Sequence, residues 1–418
     1  MNAIRKVPAN ITGSDYIIIG GGIVGLTIAH RLKSLKPTLS VAILEKESAI
    51  AEHASGRNSG VLHAGFYYSS DSLKARFTVQ GNRSLHNFCD EYKLRINRCG
   101  KLVVASTPQE VAGLEELKRR GDDNGVDLQW VTIPEMEKIE PNARTVERAL
   151  YSPTTSTVDP KEICNTLAHQ LAAMGVRILY GTRYVSVDAR RNRIITQNGE
   201  LEFGYLINCA GLHADRVARD FGYARDMTIL PFKGLYLKYD GTQPPVRTNI
   251  YPVPNLANPF LGVHFTVTVD NTVKIGPTAV PALWRENYRG VSRFNLRELI
   301  EIGLLESRLF LKNAFNFRRL ACDELKKYNN RHFRNLAARL VKQFDGDGFT
   351  HWSKPGIRSQ LLDLKTDKLV QDFVTEGDRR SFHVLNAVSP AFTCSFPMAE
   401  FVVNKIFQLC STGQKSVN

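Results

Sequence analysis

Short apolar runs broken by glycine alternate, through the first hundred residues, with longer stretches in which apolar residues recur every three or four positions. Tyr16-Ile17-Ile18-Ile19 is too short for a helix and apolar on both faces, which predicts a buried strand. Ile23 to Leu35 carries the helical period, and Ser40-Val41-Ala42-Ile43-Leu44 predicts a second buried strand. Between the first strand and the helix stand Gly20, Gly22 and Gly25 in G-x-G-x-x-G spacing, and Glu45 closes the second strand. Gly20 permits a tight turn, Gly22 lets backbone N–H groups approach a diphosphate, and Gly25 lets helix and strand pack closely, while the helix N-terminus adds partial positive charge. Glu45 stands where a carboxylate accepts hydrogen bonds from both ribose hydroxyls and repels a 2′-phosphate. A dinucleotide is expected, with NADP disfavoured and FAD or NAD both open at this point.

Further along, Glu52 to Gly65 is dense in small residues and glycine, suited to backbone packed close to a ligand. A helix is expected through Leu73 to Tyr92, a strand over Gly100 to Ser106, and a second helix from Pro108 through Arg120. Tyr205 to Cys209 predicts a strand ending in Ala210-Gly211, followed by a helix over Ala214 to Phe221. Ile229 to Thr278 is strand-rich, with runs at Leu235 to Tyr239, Asn249 to Tyr251, Phe260 to Val269 and Val273 to Gly276. The chain returns through Pro355-Gly356-Ile357-Arg358, a strand at Phe382 to Leu385 and a helix from Thr393 to Leu409. No internal repeat or low-complexity linker interrupts this order. The nucleotide-binding domain is therefore expected to be discontinuous, with the second domain built from insertions.

Composition changes this picture little. The 418 residues suffice for two or three domains, and no apolar run approaches a membrane span. Arg5 and Lys6 precede no apolar run of the secretory type, so no signal is expected. Seven scattered cysteines without a C-x-x-C pair fit reduced thiols, and no metal site is expected.

Charge is more informative, because twelve Lys or Arg face five acids between Gly290 and Phe344, about half of the net +14. Apolar residues at helical spacing (Leu296, Leu299, Ile300, Leu304; Leu336, Leu340, Phe344) make this segment a set of basic amphipathic helices. It is compatible with solvated faces, an anionic membrane surface or an acidic partner, with nucleic acid the least favoured.

The glycine fingerprint with Glu45, the segment Asn58 to Gly65, Asn208-Cys209-Ala210-Gly211, Gly356-Ile357-Arg358 and Asn386 to Ala391 together resemble the FAD-dependent oxidoreductases of the D-amino-acid oxidase superfamily. Within it the chain is most similar to the branch that oxidises L-2-hydroxyglutarate, from Tyr16 to about Ile406. Cys99-Gly100-Lys101, Pro231 to Gly234, Tyr251 to Pro254, Pro259 to His264 and Gly276-Pro277 carry the similarity. The resemblance implies an α/β fold: a Rossmann-like FAD-binding domain over 15–100, 150–225 and 350–410. An α+β substrate domain on an antiparallel-rich sheet would occupy 101–149 and 226–349. It also implies oxidation of a small anionic 2-hydroxy acid, (S)-2-hydroxyglutarate to 2-oxoglutarate, by hydride transfer to flavin N5. Electrons would pass on to a quinone, another acceptor or oxygen. Amine or amino-acid oxidation is the alternative, and an RNA-associated flavoprotein the more distant one.

By the same resemblance Gly20, Gly22, Gly25 and Glu45 hold the ADP half of FAD. Ser59, Gly60, Val61 and His63 lie against the isoalloxazine, Ala210 and Gly211 near the diphosphate, and Ser389, Pro390 and Ala391 near the pyrimidine edge. Arg358 matches a carboxylate-binding arginine, and its fork suits a bidentate contact. Lys233, Arg57 and Tyr251 are candidates for the distal carboxylate. His63, then His264, are candidates for the base, since imidazole can accept a hydroxyl proton near neutrality. His63 could instead carry the flavin covalently, as a histidine does in some members. Arg57 stands where a histidine is expected and Lys233 where an arginine is. The implied location is cytoplasmic, peripheral on the inner face of a membrane, or mitochondrial in a eukaryote.

Overall fold

The computed structural model describes residues 13–254 and 260–411. Arg5, Lys6 and Pro259 lie outside the described residues.

The opening strand forms over Ser14–Ile19, the helix over Ile23–Leu35 and the second strand over Val41–Leu44. Ile17, Ile18 and Ile43 are buried because this sheet is covered on both sides, the condition under which a strand reads as continuously apolar. Gly20 has φ +112°, and a Cβ there would stand 2.3 Å from the Cys209 carbonyl oxygen. A Cβ on Gly25 would stand 2.1 Å from the Gly20 carbonyl oxygen, so both glycines are required by the packing of this turn. Leu26, Ile28 and Leu32 seat the helix on the core, each burial contributing roughly 1.5–3 kcal/mol as an upper bound.

Ser14–Ile19 pairs in parallel with Val41–Leu44 on one side and with Gly199–Asn208 on the other. Arg177–Leu179 extends the sheet beyond Val41–Leu44, Ser381–Val384 joins Gly199–Asn208 in parallel, and an antiparallel edge runs through Arg193–Thr196 to Tyr184–Asp188. Three segments far apart in sequence thus complete one sheet. The helices Leu73–Glu91, Pro160–Ala173 and Ser395–Ser411 contribute to its core.

A second eight-stranded sheet runs Phe349–Trp352, Leu237–Tyr239, Val273–Gly276, His264–Val267, Asn249–Pro252, Lys101–Val104, Arg148–Ser152, Gln129–Thr132. It is antiparallel except where Asn249–Pro252 meets Lys101–Val104. A four-stranded sheet pairs Met227–Gly234 with Gly356–Asp363 over eight residue pairs. This mixed α/β architecture with an antiparallel-rich second sheet is the expected fold class. Helices occupy Leu296–Lys312, Phe317–Lys326 and Asn330–Ala338 in the basic segment. Among the described residues no helix is long and apolar enough to cross a membrane.

Candidate active site

One cavity of about 850 Å³ runs from the glycine turn to Tyr236, Gly356, Ile357, Arg358 and Ser359. Its wall includes Gly20, Gly22, Gly25, Glu45, Ser59, Val61, His63, Ala210, Gly211, Ser389, Pro390 and Ala391, together with Arg57 and Arg358. Gly60 lies just behind it, turned by φ +78°. Lys233, Tyr251 and His264 are not part of the wall. The last helix begins at Ser395, beyond a turn through 389–394.

At the nucleotide end the Glu45 carboxylate accepts hydrogen bonds from Gly21 N and Glu47 N, each at 2.9 Å, which fixes the turn around the cradle. Ile23 N, an orphan donor of the helix N-terminus, is met by Ser55 Oγ at 2.9 Å. A Cβ on Gly211 would meet open space, and one on Gly22 only Ser55, so bare backbone borders an open groove. A diphosphate fits such a groove.

Nearby, Glu47, His53 and Glu286 bring ligand atoms within 4.8 Å of one another, a set able to hold a cation. Its charge is already met within the protein, because Arg293 spans Glu47 (2.7 Å) and Glu286 (2.6 Å), and Lys46 pairs with Glu286. His53 adds a contact to Glu47 at 2.8 Å, and these partners hold the Glu47 carboxyl well below the usual range.

The segment 59–63 is pinned from behind. Asn82 donates to the carbonyls of Leu62 and His63, and His63 N donates to Thr393 Oγ1. His63 is thereby held at the wall, fully enclosed. Burial first, then Lys101 and His264, push its imidazole well below the ordinary value, so it is neutral at physiological pH.

Arg358 sits on Gly356–Asp363, paired with Phe232, its guanidinium 5.5 Å from the Phe260 ring centre. Beside it lies one face of the second sheet, and of the residues on that face Tyr236 reaches the cavity wall. Strand register places Lys101, Tyr251, His264, Thr266, Lys274 and Tyr236 on that face. His264 stacks on Tyr251 with ring centres 3.7 Å apart. Its Nδ1 lies 2.8 Å from the Gly262 carbonyl, which can only accept, so Nδ1 carries the proton and Nε2 keeps its lone pair. Burial pushes this imidazole down to about 3, opposed by the Gly262 bond and assisted by Lys101, Arg358 and Lys274.

Two expected carboxylate ligands are engaged elsewhere. Lys233 pairs with Ile357, so its side chain alternates away from that of Arg358, and its Nζ donates to Asn287 Oδ1 at 2.7 Å. Arg57 donates from Nε to the Glu52 carbonyl and stacks 4.5 Å over the Tyr288 ring. Two further lysines, fully buried Lys101 and half-buried Lys274, stand near the wall. Lys274 donates to the Ser59 carbonyl at 3.0 Å and Lys101 lies against Tyr251. Among the described residues neither of them, nor Arg358, has a carboxylate within ion-pair distance, although acids pair with basic side chains over much of the surface. The signal was present in the sequence: a lysine opening the apolar run Leu102-Val103-Val104.

The family model described as FAD dependent oxidoreductase matches residues 15–405. The chain belongs to this family. FAD is its cofactor, and the glycine-lined groove is where this chain can receive it. L-2-hydroxyglutarate dehydrogenase of Escherichia coli strain K12 is 34% identical over 407 residues, covering 95% of this chain and 94% of that protein. The mitochondrial L-2-hydroxyglutarate dehydrogenase of Homo sapiens is 34% identical over 424 residues, covering 96% and 90%. Among solved structures, the FAD-bound L-alpha-glycerophosphate oxidase of Mycoplasma pneumoniae superposes with TM-score 0.73 at 21% identity over 94% of this chain and 95% of that one. Glycine oxidase of Geobacillus kaustophilus gives 0.69 at 18% identity, with 95% of each chain covered. These two superpositions speak for the fold.

Proposed function

We propose that this flavoenzyme oxidises (S)-2-hydroxyglutarate to 2-oxoglutarate. The observation that carries the reading beyond the names of its relatives is an acid-free set of cations at and behind the cavity wall: Arg358 on the wall, with half-buried Lys274 and fully buried Lys101 behind it. Buried charge without a partner is costly, and a doubly anionic substrate supplies the missing charge. Bound in the groove, FAD supplies a two-electron acceptor for the hydride that leaves C2. His63 takes the hydroxyl proton, for which its neutral imidazole is ready. Arg358 clamps the carboxylate next to C2 and so orients the C–H bond. The glycine turn, Glu45, the segment 59–63, Gly211 and the turn 389–391 hold the cofactor. Electrons leave to a quinone, another acceptor or oxygen.

We read residues 15–100, 150–225 and 350–410 as the cofactor-binding domain and 101–149 and 226–349 as the substrate domain; the parallel sheet and the second eight-stranded sheet support that division, and the pairing of Met227–Gly234 with Gly356–Asp363 joins the two. The helix Leu296–Lys312 we read as resting on an anionic membrane surface, where a quinone would be at hand.

Anaerobic addition of L-2-hydroxyglutarate to the holoenzyme tests the central reading. The oxidised flavin band should bleach with that acid and not with amino or N-methyl acids. Persistence of the oxidised spectrum at saturating L-2-hydroxyglutarate would sink the assignment.

A further inference from the structure

Lys101 is fully buried. Its Nζ has no hydrogen-bond partner among the described residues, and it is surrounded by ring faces: Tyr251 at 4.4 Å, Tyr67 at 5.1 Å and Phe66 at 5.3 Å from the ring centres. Cation–π attraction offsets only part of the lost hydration of an ammonium group. The site around it is short of acceptors in a consistent way. Tyr67 Oη and Thr266 Oγ1 are also buried without partners, so three polar groups in this region lack what an anion would supply.

Pairing explains how the lysine comes to be there. Lys101 pairs with Asn249 in the parallel step of the sheet, and Ile250 pairs with Phe265, which sets Tyr251 opposite His264. On one face of the sheet Lys101 therefore lies in a row with Asn249, Thr266 and Lys274, and Tyr251, His264 and Tyr236 lie in the neighbouring row. The titratable groups around this row are His63, Tyr67, Cys99, Tyr236, Tyr251, His264, Lys274 and Arg358. None is a carboxylate.

We propose that Lys101 is a specificity-determining residue: it supplies the positive charge that selects a second carboxylate at the far end of the 2-hydroxy acid. This rests on the reading of the site as a 2-hydroxy-acid oxidase. A substrate ending in a carboxylate gives the buried ammonium its counter-charge. One ending in a methyl group leaves it buried alone, and a site that leaves its own polar groups unpaired rejects the wrong substrate. Lys233, the candidate for this role from sequence, is bonded to Asn287 and alternates away from Arg358.

The test compares steady-state kinetics of wild type, Lys101→Met and Lys101→Arg on L-2-hydroxyglutarate and on (S)-2-hydroxyvalerate, which has the same carbon chain without the second carboxylate. Flavin content is measured alongside. Lys101→Met should raise KM for the dicarboxylate at least about tenfold and leave kcat/KM for the monocarboxylate within about threefold, collapsing the preference. Lys101→Arg should restore part of it. Equal losses on both substrates, or no change on either, would overturn the proposal.

A second measurement needs no variant. Burial pushes the Lys101 amine down to about 7, so above that pH the wild-type holoenzyme should take up a proton when it binds glutarate. Binding heats that do not vary with buffer ionisation enthalpy would also overturn the proposal. Bleaching of the wild type by L-2-hydroxyglutarate decides the parent reading, whereas the substrate ratio and the proton uptake decide Lys101.

Discussion

Gly25 and the Gly20 carbonyl are so close that one methyl group cannot be placed between them. Gly25→Ala must push apart helix Ile23–Leu35 and strand Ser14–Ile19, at a cost of about 1–3 kcal/mol. It should be purified largely without flavin, which the ratio of flavin to protein absorbance reads directly. Glu45 shows the limit of reading a motif by residue type. Its position was plain from the sequence, yet its two oxygens already accept from Gly21 and Glu47, a use that no spacing rule announces. His63 carries the sharper prediction. If it removes the hydroxyl proton, His63→Asn should lower kcat by about 10²–10⁴-fold with FAD retained. Because burial, Lys101 and His264 hold the imidazole below its ordinary value, the acid limb of kcat/KM in the wild type should fall below pH 6.5. An acid limb at or above that value would point to another base.

At the scale of the element, the helix Leu296–Lys312 divides its apolar residues between two faces. Ile302 and Leu309 enter the core beneath the four-stranded sheet, capped at the start by Asn295 bonding Glu298 N. Leu296, Ile300, Leu304 and Leu311 stand 59%, 53%, 68% and 73% exposed on the outside. The helical period was legible in the sequence, but which half of the stripe is covered depends on what packs against it. Arg297, Lys312, Arg319 and Lys326 are exposed in the same segment, so an outward apolar row accompanies basic charge, the composition of an interfacial helix. Protein should sediment with anionic liposomes and remain in the supernatant with neutral ones. Ile300→Glu with Leu304→Glu should abolish sedimentation while leaving flavin reduction by substrate unchanged. Recovery of wild type in the supernatant with both kinds of liposome would remove the membrane reading.

The opening strand–helix–strand unit and the helices with clear periodicity or a proline start could be read from the sequence, because they rest on local signals, whereas the strands and helices between Gln129 and Thr196 carried no pattern strong enough to be read. Equally unreadable was the pairing that sets Lys101 beside Tyr251, 150 residues later, since alternation along a strand says nothing of its neighbour. That pairing has a thermodynamic consequence for the whole protein. Burial lowers the amines of Lys101 to about 7 and of Lys74 and Lys274 to about 8, from an ordinary 10.5. Between those values the unfolded chain binds more protons than the folded one, so stability rises with pH through this window and is lost as pH falls through 8 and then 7. The buried thiols of Cys89, Cys209 and Cys394, pushed up to about 12 from 9.0, act in the opposite sense above pH 9. With these groups the melting temperature should still rise at pH 9 and peak at about pH 9.5–10 rather than at neutrality. Glutarate, by giving Lys101 a counter-charge, should raise it more at pH 7, where about half of the amine is ammonium, than at pH 9, where almost none is. Calorimetry across pH 6 to 10 with and without glutarate checks both statements. A melting temperature that falls steadily from pH 7 upward would mean that the buried lysines are paired in solution.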